Sequence, residues 1–424
     1  MTEAFLQYIW QHRLLQGDLR TAEGLQVEVE RPGQLNRDAG PDFFDARIRI
    51  GETLWVGNVE VHVKSSDWNA HHHNLNRAYD NVVLHVVYKN DVPVTLQNGH
   101  ALPTLELCQH IPEVLWDNYE ALINPPEPLP VSCADRLADI PPFYVDSCLE
   151  RLLLERMERK CALVRRLLDE GHGSWEHCCY WLMARYFGGK ANADPFELLA
   201  KSTDMRLLAR WRDQPQRVEA LLMGQAGLLE GEFDDPYPKQ LQSDYAALRQ
   251  GATLTPMESH LWKFFRLRPG SFPTLRISQF AQLVCQSPNL FSHLLDAPDA
   301  AALQRYFSLK ASDYWRTHYR FGVPSPECDK RVGRTFADTI IINAWVPLLF
   351  EYGRCHGDQG CKDRAVGILQ QLPPENNRII RQWNAVGVVA GDAARTQALL
   401  QLYNEHCSRR DCLHCGIGYK IITQ

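Results

Sequence analysis

The chain has 424 residues, 45% of them apolar and 23% charged, with a formal charge of −6 at neutral pH. Such a length supports two or three domains with sizeable cores, and the apolar content excludes global disorder. The negative balance excludes a molecule-wide nucleic-acid surface, so any polyanion site has to be a local patch.

Phe5, Leu6, Ile9, Trp10 and Leu14 recur at helical spacing and predict a short amphipathic helix over residues 3–15, stopped by Gly17-Asp18. The same N-terminus, MTEAFLQYIWQHRLL, lacks the basic-then-apolar layout of a signal peptide. No run in the chain reaches the ~18 apolar residues of a membrane span. Leu25 to Glu30 alternates like a strand, and a turn-rich loop follows from Arg31 to Ala39. Two further alternating patterns, Phe43 to Ile50 and Thr53 to Val63, flank the turn pair Gly51-Glu52. A polar, histidine-heavy connection runs from Ser65 to His73. Asn81 to Tyr88 is apolar nearly throughout, as a strand covered on both faces would be. Val92 to Leu96 and Leu105 to Leu107 predict one or two more strands. Residues 1–122 thus read as an α+β domain with one leading helix.

The composition then changes. Asn124-Pro125-Pro126-Glu127-Pro128-Leu129-Pro130 marks residues 123–140 as a proline-rich linker. Helical spacing dominates residues 141–400, at Phe143 to Leu168, Trp175 to Phe187, Pro195 to Ala200, Val218 to Gly224, Ser278 to Val284 and Asp338 to Phe350. No repeat period aligns within them. Residues 401–424 form a cysteine-rich tail expected to pack on this helical domain.

The chemistry concentrates in Gly40 to Lys64. Strand alternation puts Glu60, His62 and Lys64 on one face and Val59, Val61 and Val63 on the other. If Asp42 folds back beside Glu60, two carboxylates and an amine meet. Metal-dependent phosphodiester hydrolysis needs carboxylates to hold Mg²⁺ or Mn²⁺ and a cation beside the attacking water. Asp42, Glu60 and Lys64 supply those types across one hairpin. The histidines are less specific. His71, His72 and His73 read as solvated loop residues, although Asp67 and one of them could complete a transition-metal shell. His85 reads as a core histidine that could face the site if its strand lies beside Glu60, while Trp68 and Tyr79 read as packing.

These residues resemble the PD-(D/E)XK nuclease superfamily, in which an acid opens one strand and an acid and a lysine follow on the next. The resemblance implies a nuclease-like mixed sheet, metal binding by Asp42 and Glu60, and a water-positioning Lys64. The order of helix, strands, connection and further strand is similar too. One departure stands out: His62 sits two residues before Lys64, where the superfamily places its acid. Either His62 replaces the acid as a metal ligand, or Glu60 binds one strand step earlier, or the site has decayed. The whole chain also resembles a family of bacterial proteins of unknown function. That likeness rests on the N-terminal stretch, the segments MGQAGLL (Met223 to Leu229) and RLRPGSFPTLR (Arg266 to Arg276), and the tail. It implies no activity.

Thirteen cysteines in a chain without a secretory signal point to a reducing, cytoplasmic setting rather than a disulfide scaffold. Cys407, Cys412 and Cys415 lie close enough in the tail to bind Zn²⁺ or an iron–sulfur cluster, both of which take four ligands. Cys355 or Cys361 could supply the fourth, as could His406 or His414 for zinc. Two basic-aromatic groups suit single-stranded nucleic acid, DNA or RNA: Arg266, Arg268 and Arg276 with Trp262, Phe264 and Phe265, and Arg316 and Arg320 with Trp315 and Tyr319. Lys330 and Arg331 extend the second. The bland account of both is an aromatic core face under an arginine-rich surface.

The reading is a metal-dependent nuclease-like protein acting on or binding nucleic acid. A second reading is a non-catalytic nucleic-acid-binding scaffold with a degenerate nuclease fold. A third, a histidine-rich metallohydrolase, requires His71 to His73 and His85 to converge. Nothing in the sequence fixes the oligomeric state.

Overall fold

The first strands form because the alternation at Phe43 to Ile50 and beyond gives each a buried face, and the turn at Gly51-Glu52 joins them as a hairpin. The structure is a computed structural model that describes residues 1–125, 129–250, 254–286 and 289–424. Helix α1 (Glu3–Gln11) leads, followed by strands β1 (Val27–Arg31), β2 (Gln34–Leu35), β3 (Phe43–Ile50) and β4 (Thr53–Lys64). A short helix α2 (Asp67–Ala70) and two 3-10 turns then lead to β5 (Val82–Lys89) and β6 (Thr104–Glu106). Helix α3 (Glu113–Ile123) and the long helix α4 (Pro142–Glu170) come next. The sheet order is β1-β3-β4-β5-β6, with β2 beside β3. Pairing is antiparallel from β1 to β4 and parallel from β4 to β6. The sheet is therefore mixed, and the β4-to-β5 connection has to cross one of its faces.

Two local features shape the middle of this sheet. The β3–β4 register slips between Phe43 and Ala46, where Asp45 takes a φ of +55° in a bulge. Gly57, opposite that bulge, has no room for a side chain, because a Cβ there would stand 2.5 Å from Val83 and 2.7 Å from the Asn81 carbonyl. The strand predicted at Val92 to Leu96 does not form, since Pro93 offers no ladder donor and only the isolated bridge Thr95–Ala101 is made there.

The chain divides into two compact units, Met1–Cys148 with Leu402–Gln424, and Leu149–Gln401. The first unit corrects two expectations. Residues 129–140 are not a free linker: Val131, Leu137 and Ile140 are buried. Pro126, Glu127 and Pro128 of the predicted linker lie outside the described residues. The tail belongs to the N-terminal unit rather than the helical one, because the apolar face of its last helix, Gly416–Ile422, finds its partners there. The Tyr419 ring meets Tyr8 of α1 edge-on and lies tilted against His12, which caps that helix, and Asn118 Nδ2 of α3 donates to the Ile422 carbonyl at 3.3 Å.

The second unit is helical, with sequence neighbours paired: Trp175–Phe187 with Gly189–Ser202, Pro215–Gln225 with Pro236–Gln250, and Val346–His356 with Gln359–Gln371. Gly224 of the MGQAGLL segment lets one such pair close, since a Cβ there would stand 2.2 Å from the Tyr245 ring. The helix expected from Asp338 to Phe350 carries a wide π turn at Ile341–Trp345, next to Pro347, whose missing N–H cannot complete a regular ladder. No helix among the described residues is long and apolar enough to cross a membrane.

Candidate metal centre

Hairpin closure brings Asp42 and Glu60 together as the alternation suggested. The two residues cap each other: the Asp42 N–H donates to Glu60 Oε2 and the Val61 N–H donates to Asp42 Oδ2, each at 3.0 Å. Each carboxylate thus spends one oxygen on the hairpin. Glu60 Oε1 faces the other way, 3.2 Å from His73 Nε2 and 3.6 Å from His62 Nε2.

The β4-to-β5 crossover delivers the remaining side chains. Its start is pinned by Ser65 Oγ, which donates to the Val92 carbonyl (2.7 Å), and by Asp67, which accepts from the Lys64 N–H (2.9 Å). Trp68 drives the loop down, fully buried beside Tyr79, Val82, Val94 and Leu102. His72 then takes a left-handed φ of +61°, which reverses the chain and turns His71 and His73 toward His62. The ligand atoms of His62, His71 and His73 all lie within 4.8 Å of one another. Two observations hold these rings in place: Tyr79 stacks on His73 with ring centroids 3.8 Å apart, and His85 Nε2 lies 2.8 Å from His62 Nδ1.

Helix α1 adds groups that strand alternation could not reveal. Glu3 Oε1 lies 3.9 Å from His62 Nε2, and Gln7 donates a hydrogen bond to Asp42. Lys64 does not join them. It is exposed at the strand end, and its amine makes no ion pair among the described residues. Parity gave Lys64 the right face, but it lies beyond the covered part of β4.

Burial sets the protonation of the cluster. It holds His62 down at about 2 and His85 at about 3, each helped by neighbouring imidazoles, so both rings are neutral. Burial also pushes Asp42 up to about 6, with the Glu60 charge adding to it, and pushes Glu60 up to about 8. Glu3 is raised by burial and by Asp42. Neutral imidazoles beside carboxylates that repel one another are the composition a divalent cation satisfies. The spacing fits as well. His62 Nε2 and His71 Nδ1 stand 3.2 Å apart, close to the ~3.3 Å edge of a tetrahedron with metal–nitrogen bonds of about 2.0–2.1 Å. Two cluster nitrogens, His73 Nε2 and His85 Nδ1, are buried without a hydrogen-bond partner among the described residues. With a metal on His62 Nε2, the His62 proton sits on Nδ1 and is donated to His85, which fixes the ring's orientation.

The other predicted residues are placed differently. Cys407, Cys412 and Cys415 lie in the N-terminal unit. Cys355 and Cys361 lie in the helical unit, where the Cys355 thiol meets Glu351 and Asp358 caps the Cys361 N–H. Of the basic-aromatic groups, Trp262 and Trp315 are core residues whose indole N–H groups donate to the Ala226 carbonyl and to Glu219. Arg276 lies over the Phe336 ring at 3.5 Å and bonds Gln279. Arg316 pairs with Glu327, Arg320 sits between the Phe264 and Phe272 rings, and Lys330 is buried against the carbonyls of Trp315, Arg316 and His318. Arg266, Arg268 and Phe265 remain exposed.

The profile of one protein family, described as a protein of unknown function (DUF2851), matches residues 3–378. No curated protein and no solved structure matches the chain.

Proposed function

The chain belongs to the DUF2851 family, whose function is unknown, and we propose from its geometry that it is a divalent-metal-dependent hydrolase acting on phosphodiester bonds. The observation that carries the reading is the convergence of His62, His71 and His73 within 4.8 Å beside the paired carboxylates of Asp42 and Glu60. Imidazole ligands favour zinc or iron over the Mg²⁺ or Mn²⁺ that an all-oxygen site would take. A metal ion held there supplies Lewis acidity and lowers the pKa of water.

The chain's own groups do the rest. His85 orients His62, and Tyr79 and Trp68 wall the apolar side of His73. Glu60 Oε1 faces the space the imidazoles share, which suits it to take a proton from attacking water. His71 is exposed and Glu3 half-exposed, leaving that side open to a substrate. The choice of phosphodiester rests on the resemblance to PD-(D/E)XK nucleases, with Asp42 at one strand's start and Glu60 on the next. In this reading His62 stands in the position of the superfamily's second acid, and the lysine's part passes to Glu60.

The test uses chelated protein reloaded with Zn²⁺, Fe²⁺, Mn²⁺ or Mg²⁺ and assayed on an aryl phosphodiester and on single- and double-stranded DNA and RNA. Metal-dependent cleavage that His71→Ala and Glu60→Gln both abolish is the expected result. Metal bound without cleavage of any probe would overturn the hydrolase. That outcome would leave a metal-holding scaffold, the reading that the outlying Lys64 favours.

A further inference from the structure

A second cluster of metal-ligating side chains lies in the N-terminal unit and plays no part in the histidine site. Cys407 opens the 3-10 turn Cys407–Arg409, Arg410 turns the chain back at a φ of +54°, and Cys412 and Cys415 follow just before the last helix. Facing them is Cys133, from the segment between α3 and α4. Hydrogen bonds lock the two stretches together. Arg410 Nη1 donates to the Ile123 carbonyl (3.1 Å), Tyr144 to the Gly416 carbonyl (3.1 Å), and Gln424 Nε2 to the Asp139 carbonyl (3.2 Å).

The four thiols lie within one another's electrostatic reach. Cys133 is raised by burial and then by Cys415 and Cys412, and Cys407 by burial and then by Cys133, Cys415 and Cys412. Cys412 is pushed up to about 12 by burial and by Cys415. Among the described residues, which include all thirteen cysteines, no disulfide forms. His414 Nδ1 is engaged by the Asp411 carboxylate at 2.5 Å.

We propose that Cys133, Cys407, Cys412 and Cys415 form a four-thiolate metal centre that clamps the C-terminal tail onto the segment between α3 and α4. Four sulfurs and no other ligand suit zinc or an iron–sulfur cluster. Among the described residues, the group of three or more ligand atoms within 4.8 Å of one another is the histidine triad, not these cysteines. No three of the sulfurs therefore lie all within 4.8 Å of one another, whereas tetrahedral zinc with bonds of about 2.3 Å holds its four at a ~3.8 Å edge. A 4Fe–4S cluster, whose four cysteines each bind a different iron, spreads its ligands in that way. The centre's role is structural. The chain leaves this unit after Cys148 and returns at Leu402, and the four bonds tie the two ends of that excursion.

The experiment is to purify the full chain anaerobically, record its visible spectrum, and measure iron, acid-labile sulfide and zinc per chain. Wild type is compared with serine variants at each of the four cysteines, and with Cys285→Ser as a control. Acid-labile sulfide with iron and a broad visible absorption is expected, the sulfide and the absorption lost in all four variants and retained in the control. Zinc with the same dependence on the four cysteines supports the centre and identifies its metal. A serine variant that failed to fold would also lose metal, so native-state alkylation of wild type is read alongside. The four thiols should stay unlabelled until a chelator or oxidant strips the metal, and then label together. Metal content indifferent to Cys133→Ser, or labelling of the four thiols that ignores the chelator, overturns the proposal.

Discussion

In the helical unit the Glu219 carboxylate is fully buried and fully answered: Trp315 Nε1 donates at 2.7 Å, Ser278 at 2.8 Å and Tyr237 at 2.9 Å. In the N-terminal unit Glu60, His62 and His85 are buried and His73 partly so, yet their arrangement is incomplete. Among the described residues His73 Nε2 and His85 Nδ1 have no hydrogen-bond partner, and burial, with the neighbouring acids, pushes the carboxyls upward. A buried polar group without a partner costs free energy, so a fold that needed only packing would have closed the second network as it closed the first. The difference separates a structural carboxylate from a set of groups arranged for something the chain itself does not supply.

That contrast breaks if the two networks respond alike to mutation. Glu219→Ala leaves three buried donors unanswered and should destabilise the fold by about 3 kcal/mol or more in denaturant unfolding. His73→Ala in chelated protein should cost under about 1 kcal/mol, because the ring removed carries an unanswered nitrogen. Equal losses would erase the distinction. His85→Ala sharpens it from within the site. Removing the group that orients His62 should weaken metal binding by roughly 10- to 100-fold in a competition titration, though His85 touches no metal itself. Unchanged affinity would make His85 a packing residue only.

The pH dependence of the metal-free protein follows from the same shifts. His62 and His85, held near 2 and 3 against an ordinary 6.5, bind protons more readily unfolded, so stability falls as pH drops below about 6.5. Glu60, raised from 4.5 to about 8, binds its proton more tightly folded, so its contribution falls as pH rises from about 4.5 to 8, and above about 6.5 the histidines no longer offset it. The second slope should reach at most about 1.4 kcal/mol per pH unit. Chelated protein should therefore be most stable near pH 6.5, and saturating metal should flatten the alkaline side. An alkaline side that metal leaves unchanged would mean the carboxylates do not meet the ion. Lys64→Ala should have the smallest effect, within about 0.5 kcal/mol on both stability and any cleavage barrier, since its amine is exposed and unpaired.

Much of the sheet was legible. Alternation around Gly51-Glu52 gave both hairpin strands nearly to the residue, and hairpin closure followed by register, which is why Asp42 and Glu60 met as expected. Alternation reports the face of a side chain but not its depth along the strand, which is how Lys64 came to be grouped with His62. The fold-back of His71 and His73 depended on tertiary structure. A parallel crossover must pass over the sheet, and buried Trp68 was the local sign that this polar loop does so. Cys133 carried no spacing signal, since its partners lie near the other end of the chain. The apolar Val131, Leu137 and Ile140 around it were the hint that its segment is packed. The aromatic-basic groups misled because rings at such spacing serve a core as readily as a base stack, and Trp262 and Trp315 serve the core.

The central claim is that His62, His71 and His73 hold a divalent metal ion, and Co²⁺ titration of the chelated full-length protein tests it most directly. Nitrogen- and oxygen-ligated Co²⁺ gives visible d–d bands, whereas thiolate ligation adds charge-transfer absorption in the ultraviolet, so the two centres can be read apart. The account predicts, with the cysteine centre disabled by Cys133→Ser, d–d bands that saturate at a stoichiometric amount of Co²⁺ and vanish when His71→Ala is added. Identical visible spectra for Cys133→Ser with and without His71→Ala would contradict it.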